Sequence, residues 1–334
     1  LDAGYGIDEI RNTDLGLLYN KNGWWGAGSG QVEQSLAYFL PDDMELVVLA
    51  NSPVGAGGAF FRDVVDNAYI ANIKPKIGVG GWIARHGLTA AQYQMAFNDY
   101  VGNQGMQLID VSGYGSTTTL YAALWVKTAA PPEWQARHGL TAAEYQTTFD
   151  QLAAAGFHPT LVDGYATTAG PRFACIFQKG PTGDWVARHG LTAAQYQQTF
   201  DQLVAQGYAL DWVSGYFDGA QDLYAAIWRK IPGVPAWQAR HGLTGADYQA
   251  FFNQSTAQGF KPTVVSGASD GAQARYAALF RKIAGAPAWV ARHGLTAAQY
   301  QQTFDQLVGQ GYRLELVDGY TVGAQDLFAA VWTK

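Results

Sequence analysis

The 334-residue chain is poor in cysteine, in charge and in long apolar runs. Cys175 is the only cysteine, which excludes an internal disulfide framework. Charged residues make up 14% of the chain, the net charge is −6 and no basic run occurs, so no nucleic-acid partner is expected. No apolar stretch reaches the roughly 18 residues that a spanning helix needs, so no membrane span is predicted.

Glycine and aromatic residues are abundant instead, with 40 glycines and an aromatic content of 14%. This mixture is typical of a turn-rich, strand-rich globular protein with a weakly charged surface. The chain begins at Leu1 with neither an initiator methionine nor a signal peptide, so we expect it to be processed or truncated at its front.

One sequence unit occurs five times. The first copy, WIARHGLTAAQYQMAF, begins at Trp82, and the others follow after 51 or 52 residues each, at Trp134, Trp185, Trp237 and Trp289. Internal duplication this regular predicts a repeat architecture. Cys175 lies in RFACIFQK, where the neighbouring repeats have alanine, and is predicted to be an inert core residue.

Each copy predicts a strand, a helix and two further strands. The WxAR segment alternates like a strand, and a His-Gly turn leads to a threonine placed to cap a helix. In the third copy Tyr196, Phe200 and Leu203 form one apolar helix face, and Gly207 stands where a left-handed C-terminal cap is favoured. Alternating segments such as YALDWVSGY and DLYAAIWRK then predict two strands.

The predicted fold class is mostly β with helices (α+β), with the five repeats closed into a five-bladed, propeller-like ring. An open stack needs polar end repeats, whereas here the first and last copies are as aromatic as the middle three. The predicted domains are a segment over 1–75, a linker over 76–81 and the repeat region over 82–334. The repeats are bounded at 82–133, 134–184, 185–236, 237–288 and 289–334.

Five of the six histidines lie in the repeated ARHG, and two interpretations stand side by side. The imidazoles could converge on the ring axis and hold a metal or an anion. Alternatively, each Arg-His pair satisfies backbone groups at the start of the helix, once per repeat. No carboxylate recurs beside these histidines, which are His86, His138, His189, His241 and His293, so the structural interpretation is favoured and no metal site is predicted.

Four repeats have a tyrosine at the same place, predicted to lie in a loop, at Tyr114, Tyr165, Tyr216 and Tyr320, while Ala268 breaks the series. Exposed tyrosines on rigid loops make good contact surfaces, so these four are candidate substrate-binding residues. Packing between repeats is an equally weighted alternative.

The sequence pattern of the first 75 residues differs from that of the repeats. GQVEQSLAYFL and MELVVLANS predict two strands joined by a turn at PDD, and AFFRDVVDNAYIANI predicts an amphipathic helix. So few elements make too small a unit to stand alone comfortably, so we interpret this segment as the end of a larger domain.

The stretch YNKNGWWGAGSGQVEQSLAYFLPDDMELVVLANS resembles the closing part of the serine β-lactamase-like hydrolase fold. Lys21-Asn22-Gly23 is similar to that family's Lys-(Thr/Ser)-Gly triplet, with asparagine in the middle place. The repeats, with their ARHGLT cores, resemble the left-handed β-propeller of polyglycine hydrolases, which are secreted proteases that cut glycine–glycine bonds.

The resemblance implies roles for four residues of that stretch. Lys21 and Gly23 would be catalytic residues as parts of the triplet, with Lys21 supplying positive charge beside the catalytic serine. The N–H of Trp24, just after Gly23, would donate to the oxyanion. Trp24 and Trp25 would line the substrate groove. The family's Ser-x-x-Lys and Tyr-x-Asn motifs occur nowhere in these 334 residues, so the nucleophile is predicted to lie outside the chain, on a possible companion polypeptide.

The first functional hypothesis is the C-terminal portion of a secreted serine hydrolase of this class, a peptidase with a protein or peptide substrate. The ring would then be a substrate-recognition or docking module. The alternative is a non-enzymatic, lectin-like or protein-binding propeller module, with a surface glycan among its possible ligands. Neither hypothesis requires a cofactor.

Overall fold

A computed structural model describes two parts of the chain. Residues 9–13, 16–27, 31–40 and 44–50 are described as strands, and residues 81–180, 183–230 and 232–334 are described in full. The chain divides into two compact units, the second of which comprises Gly81–Val101 and Met106–Lys334. In the described part, no helix is both long and apolar enough to cross a bilayer.

The first unit contains an antiparallel four-stranded sheet with its strands in sequence order. The strands are β1 (Glu9–Thr13), β2 (Gly16–Ala27), β3 (Gln31–Leu40) and β4 (Met44–Ala50). Strands β3 and β4 confirm the two strands predicted on either side of PDD. The predicted amphipathic helix and the 76–80 part of the linker lie outside the described residues.

Each repeat folds as a three-stranded antiparallel sheet with one helix, which confirms the predicted order of elements. The first strands are β5 (Trp82–Thr89), β8 (Trp134–Leu140), β11 (Trp185–Thr192), β14 (Trp237–Leu243) and β17 (Trp289–Thr296). The helices are α1 (Ala90–Phe97, continued by a π-helical turn over Asn98–Asn103), α2 (Ala142–Ala154), α3 (Ala193–Ala205), α4 (Gly245–Ala257) and α5 (Ala297–Gly309).

The last strand of each repeat lies in the middle of its sheet. The second strands are β6 (Gln107–Tyr114), β9 (Phe157–Tyr165), β12 (Ala209–Phe217), β15 (Lys261–Ser269) and β18 (Arg313–Val322). The third strands are β7 (Leu120–Val126), β10 (Arg172–Lys179), β13 (Asp222–Arg229), β16 (Ala274–Arg281) and β19 (Gln325–Thr333). Because the third strand is central and covered on both faces, its middle residues form a continuous buried run, as in Tyr224–Trp228.

The helices begin and end where the sequence predicts. Four of them start with a complete capping box, in which a threonine and the residue three positions on exchange side-chain-to-backbone hydrogen bonds. In α4 the box is incomplete: Thr244 accepts from the Asp247 N–H, but the short Asp247 side chain bonds the Thr244 hydroxyl instead of its backbone. Gly207 and its equivalents have φ between 62° and 84°, the left-handed conformation of a C-terminal cap.

Hydrogen bonds from a backbone N–H to a side chain link each repeat to the next at the end of the second strand. The N–H of the glycine before the tyrosine position donates to a serine or aspartate side chain of the following repeat, at 2.6–3.1 Å. The fifth bond of this series joins repeat five to repeat one. The pairs are Gly113–Asp163, Gly164–Ser214, Gly215–Ser266, Gly267–Asp318 and Gly319–Ser112.

Tyrosine rings cover four of these glycines. A Cβ atom built on Gly164 would lie 2.3 Å from Cδ1 of Tyr216, a separation that real Cβ atoms do not adopt. The glycine is therefore required by the ring above it. The same closeness, 2.3–2.5 Å, occurs at Gly113 beneath Tyr165, Gly267 beneath Tyr320 and Gly319 beneath Tyr114.

The first tryptophan of each repeat packs against a helix phenylalanine of the preceding repeat, with ring centroids 5.6–6.1 Å apart in edge-to-face geometry. Here too the first repeat pairs with the fifth, because Trp82 lies against Phe304. Core clusters span the repeat junctions in the same way; one cluster joins Leu124 of repeat one to Trp332 of repeat five. No repeat buries its aromatic residues without a neighbour.

Replacing Gly164 with alanine tests the packing of tyrosine on glycine. Since the new methyl group would overlap the Tyr216 ring, we expect Gly164→Ala to lower the free energy of unfolding by about 2 kcal/mol. Gly215→Ala is the matched control, because a Cβ there would meet Tyr224 at 3.4 Å, an ordinary contact, and should cost less than about 1 kcal/mol. Urea unfolding of both variants measures the difference, and equal costs would contradict the packing account.

Candidate binding pocket

The ends of the five second strands and the loops after them surround a pocket of about 270 Å³. Every repeat contributes to its lining. The lining combines backbone groups of the glycine–tyrosine positions with hydroxyl-bearing side chains such as Ser116, Thr167 and Ser269. Asp163 and Asp270 are the acidic members among the described lining residues, and no lysine or arginine is among them.

The tyrosines at this pocket are buried, so the predicted exposure of Tyr114, Tyr165, Tyr216 and Tyr320 is wrong. Each is between 2% and 4% exposed. Each ring lies on a glycine of the preceding repeat, and each hydroxyl accepts the N–H of the ARHG glycine in its own repeat, at 2.7–3.1 Å. The four tyrosine side chains pack between repeats, as in the alternative interpretation. Because the same residues line the pocket, their contact with a substrate stays a prediction.

Ala268 removes one tyrosine from the series, and the neighbouring repeat adjusts to its absence. Elsewhere, Tyr121 and Tyr276 on the central strands bond the hydroxyls of Tyr165 and Tyr320, at 2.8 Å and 2.5 Å. Tyr224 occupies the same strand position opposite Ala268 and accepts directly from the backbone N–H of Gly242. The pocket is thus different at the junction of repeats three and four.

Three carboxyl groups are buried beneath the pocket. Asp110, Asp163 and Asp318 are 4–6% exposed and, with serines of the same strands, enclose a small cavity of about 10 Å³, which is close to the space for one water molecule. Each accepts a backbone N–H of another repeat, Asp110 from Val317 at 2.8 Å. Burial raises the pKa of Asp110 to about 7 and, with mutual repulsion, raises the pKa values of the other two well above their usual range. These carboxyls therefore bind a proton at a higher pH than exposed carboxyls do.

Trp212 fills the space among the repeats. Its ring packs against four of the five core clusters, and its Nε1 donates to the carbonyl of Val162 in the neighbouring repeat at 2.9 Å. The equivalent residues are Asp110, Leu161, Val264 and Leu316. Sequence analysis did not single out Trp212 or the buried aspartates. The available signal was their departure from the residue found at the same place in the other copies.

The five ARHG histidines lie at five separate junctions. Each imidazole packs edge-on against the helix tyrosine of the preceding repeat, at 4.6–4.9 Å between centroids. Burial lowers the pKa of each. The arginines at 137, 188 and 292 donate to the adjacent alanine carbonyl, as the structural interpretation expects. In the described part of the chain, no group of three or more histidine, cysteine or acidic side chains is arranged to hold a metal.

His158 and Cys175 are both buried, but the sequence predicted burial only for Cys175. The pattern of the other repeats predicts that the single His158 of FHPT is a surface substitution, and this prediction is wrong, because the side chain is only 7% exposed. Burial together with the nearby Arg229 lowers the pKa of His158 to about 4. Arg229 in turn bonds Asp211 and the carbonyl of Pro159, at 2.7 Å and 2.6 Å. Cys175 is fully buried in the core, as predicted, and burial raises the pKa of its thiol to about 12.

The residues assigned by resemblance to a hydrolase site lie in β2, an interior strand of the four-stranded sheet. In the register of β2 and β3, Lys21 pairs with Ala37 and Gly23 with Ser35. Trp24 and Trp25 follow, opposite Gln34 and Glu33. Their catalytic and substrate-binding roles stay predictions.

A comparison with protein families identifies the repeat. The polyglycine hydrolase-like structural repeat matches the chain five times, at residues 79–128, 131–180, 182–231, 234–283 and 286–334. The chain belongs to this family. The matched units begin a few residues before each ARHG tryptophan, so each polyglycine hydrolase-like repeat contains one complete three-stranded sheet and its helix.

Replacing the buried aspartates with serine tests their protonation. A carboxyl whose pKa is raised by folding stabilises the fold fully below its ordinary pKa, and that stability is lost as pH rises through the raised value. The wild type should therefore lose stability between about pH 4 and pH 8. Asp163→Ser and Asp318→Ser should reduce this loss, because serines accept the same glycine N–H in the other three repeats.

The control is Asp218→Asn. The backbone N–H groups of Gln221 and Ala220 lower the pKa of the exposed Asp218 carboxyl, so its contribution is lost as pH falls, not as it rises. Thermal unfolding at several pH values compares the three variants with the wild type. An unchanged slope in both serine variants would show that the buried carboxyls are ionised.

Proposed function

We propose that the chain is part of a secreted serine hydrolase of the β-lactamase-like class, a peptidase that acts on a protein or peptide. In this proposal, the five repeats close into a five-bladed, left-handed propeller-like ring that recognises the substrate or docks the enzyme onto a surface. The match to the polyglycine hydrolase-like repeat over more than half of the chain is the observation that carries the proposal.

Contacts between the fifth repeat and the first support ring closure. Gly319 donates to Ser112 as each other glycine donates to its following repeat, and the Tyr114 ring covers Gly319 in the same way. His86 adds a hydrogen bond to Gln301 at 2.9 Å and an edge-on contact with Tyr300. This junction thus has the same kinds of contact as the four junctions between consecutive repeats, which a linear stack does not require.

The pocket supports a recognition role. Binding residues in rigid scaffolds are commonly carried by the loops at one end, and this pocket takes its lining from all five repeats. Hydroxyl and backbone groups dominate its polar lining, which suits a neutral, hydrogen-bonding ligand such as a peptide backbone.

The hydrolytic role is proposed through β2. Lys21 would stabilise negative charge beside the nucleophile, and the N–H of Trp24 would donate to the oxyanion as acyl transfer proceeds. Trp24 and Trp25 would contact the substrate. The serine would lie outside these 334 residues, which contain no Ser-x-x-Lys.

Labelling with a fluorophosphonate probe tests this function. The preparation purified from its source should contain a labelled polypeptide, and tandem mass spectrometry of its peptides should identify the labelled serine. Lys21→Met should reduce the labelling rate at least tenfold, because the charge that activates the serine is lost. Lys230→Met, which removes an exposed lysine paired with Asp184, is the control and should label normally. Absence of any labelled polypeptide would contradict the hydrolase assignment.

A second candidate function is a non-enzymatic binding module, lectin-like or protein-binding. It is favoured by one observation: the pocket is formed wholly by repeat residues, while the hydrolase motif of the sequence is incomplete. Binding of the full chain to a glycan array, abolished by a bulky substitution at Ser116 in the pocket, would support this candidate. Unchanged binding after that substitution would exclude the pocket as the glycan site.

A further inference from the structure

We propose that the pocket has a recess beside Ala268 that binds one aromatic ring of phenol size, such as a tyrosine side chain of a peptide. Only the identity of the natural ligand rests on the proposed recognition role of the pocket. The ring site itself follows from comparison of the five repeat junctions.

The other junctions define what the recess would hold. In repeats one, two, three and five, the chain's own phenol occupies this place, with its ring on a glycine and its hydroxyl at the ARHG glycine N–H. Repeat four keeps part of the surroundings of that phenol: Gly215 lies beneath, and the backbone N–H of Gly242, the equivalent of the amides that the other hydroxyls accept, donates to the Tyr224 hydroxyl instead. Ala268 supplies a methyl group in place of the ring.

Distances at Gly215 indicate the missing volume. A Cβ built on the four glycines that lie beneath a tyrosine would meet its ring at 2.3–2.5 Å, but on Gly215 the nearest atom is Cε1 of Tyr224 at 3.4 Å. The Ala268 Cβ is farther still, at 3.9 Å. The covering group is therefore absent at this junction, and no side chain moves in to the same closeness.

The recess offers a polar partner for a phenol. Tyr121 and Tyr276 each bond the hydroxyl of the tyrosine in the following repeat. Tyr224, their counterpart opposite Ala268, has no hydroxyl partner of this kind among the described residues. A bound phenol would restore that pair by bonding the Tyr224 hydroxyl, which already accepts the N–H of Gly242.

The recess also opens to the pocket. Gly215, Tyr216 and Ala268 are all lining residues of the 270 Å³ pocket, and Ala268 is 9% exposed where the equivalent tyrosines are 2–4% exposed. No lysine or arginine is among the described lining residues, so an anionic ligand has no counter-charge there. A neutral aromatic ring with one hydroxyl fits these features.

Titration of the full chain with p-cresol, the side chain of tyrosine, tests the proposal. We expect one saturable site in calorimetry and nuclear Overhauser contacts between the cresol ring and the Ala268 methyl. Ala268→Tyr should fill the recess and weaken cresol binding at least tenfold, and Ala268→Phe should do the same without supplying a hydroxyl. N-acetyltyrosine amide then tests whether a peptide-like tyrosine enters as cresol does.

A gain-of-site variant provides the matched control. Tyr216→Ala removes the ring above Gly164 and should create a second cresol site, so that the stoichiometry rises from one to two. Failure of cresol to bind the wild type, or binding by both Ala268 variants as tight as that of the wild type, would overturn the proposal. The nuclear Overhauser contacts between cresol and the wild-type chain test the proposal even if a variant fails to fold. Loss of fluorophosphonate labelling, by contrast, would bear on the hydrolase function and not on this site.

Discussion

The hydrogen bond from a glycine N–H to a side chain of the next repeat is the interaction on which the repeat architecture depends. A buried N–H without a partner costs about 1–3 kcal/mol, so each second strand is incomplete until the following repeat supplies its serine or aspartate. The missing side chain at the same glycine lets a tyrosine of that neighbour lie directly on the backbone. One glycine thus couples the satisfaction of a buried N–H to the burial of a tyrosine ring, and both require the neighbouring repeat.

This shared junction explains why individual repeats can differ without loss of the fold. The glycine and its acceptor are kept at all five junctions, whereas other positions vary: Trp212 replaces a smaller apolar residue or an aspartate, and Ala268 replaces a tyrosine. Those departures make the five junctions unequal. If the proposed recess beside Ala268 binds a ring, it would give a ligand one preferred orientation in the pocket.

Local features of the fold could be predicted from the sequence because they depend on neighbours within a few residues. Thr192 and Gln195 are three positions apart, and the capping box they form needs nothing else. The burial of Tyr216 could not be decided from the sequence, where exposure and packing between repeats were equal alternatives, because its ring lies on Gly164 of the preceding repeat, some 50 residues away. His158 was misjudged for the same reason, because distant residues bury it. The sequence predicted binding residues on loops after the second strands, but it predicted neither a pocket there nor the buried tyrosines and aspartates around it.

Amide hydrogen exchange at Gly319 tests the central claim most directly, because this N–H joins the fifth repeat to the first. Gly164 and Gly215 make the equivalent bonds between consecutive repeats and serve as internal references. If the five repeats form a closed ring, Gly319 should be protected as strongly as those two amides and should exchange only with global unfolding. Exchange of Gly319 at the rate of an open strand end, with Gly164 and Gly215 still protected, would contradict the account.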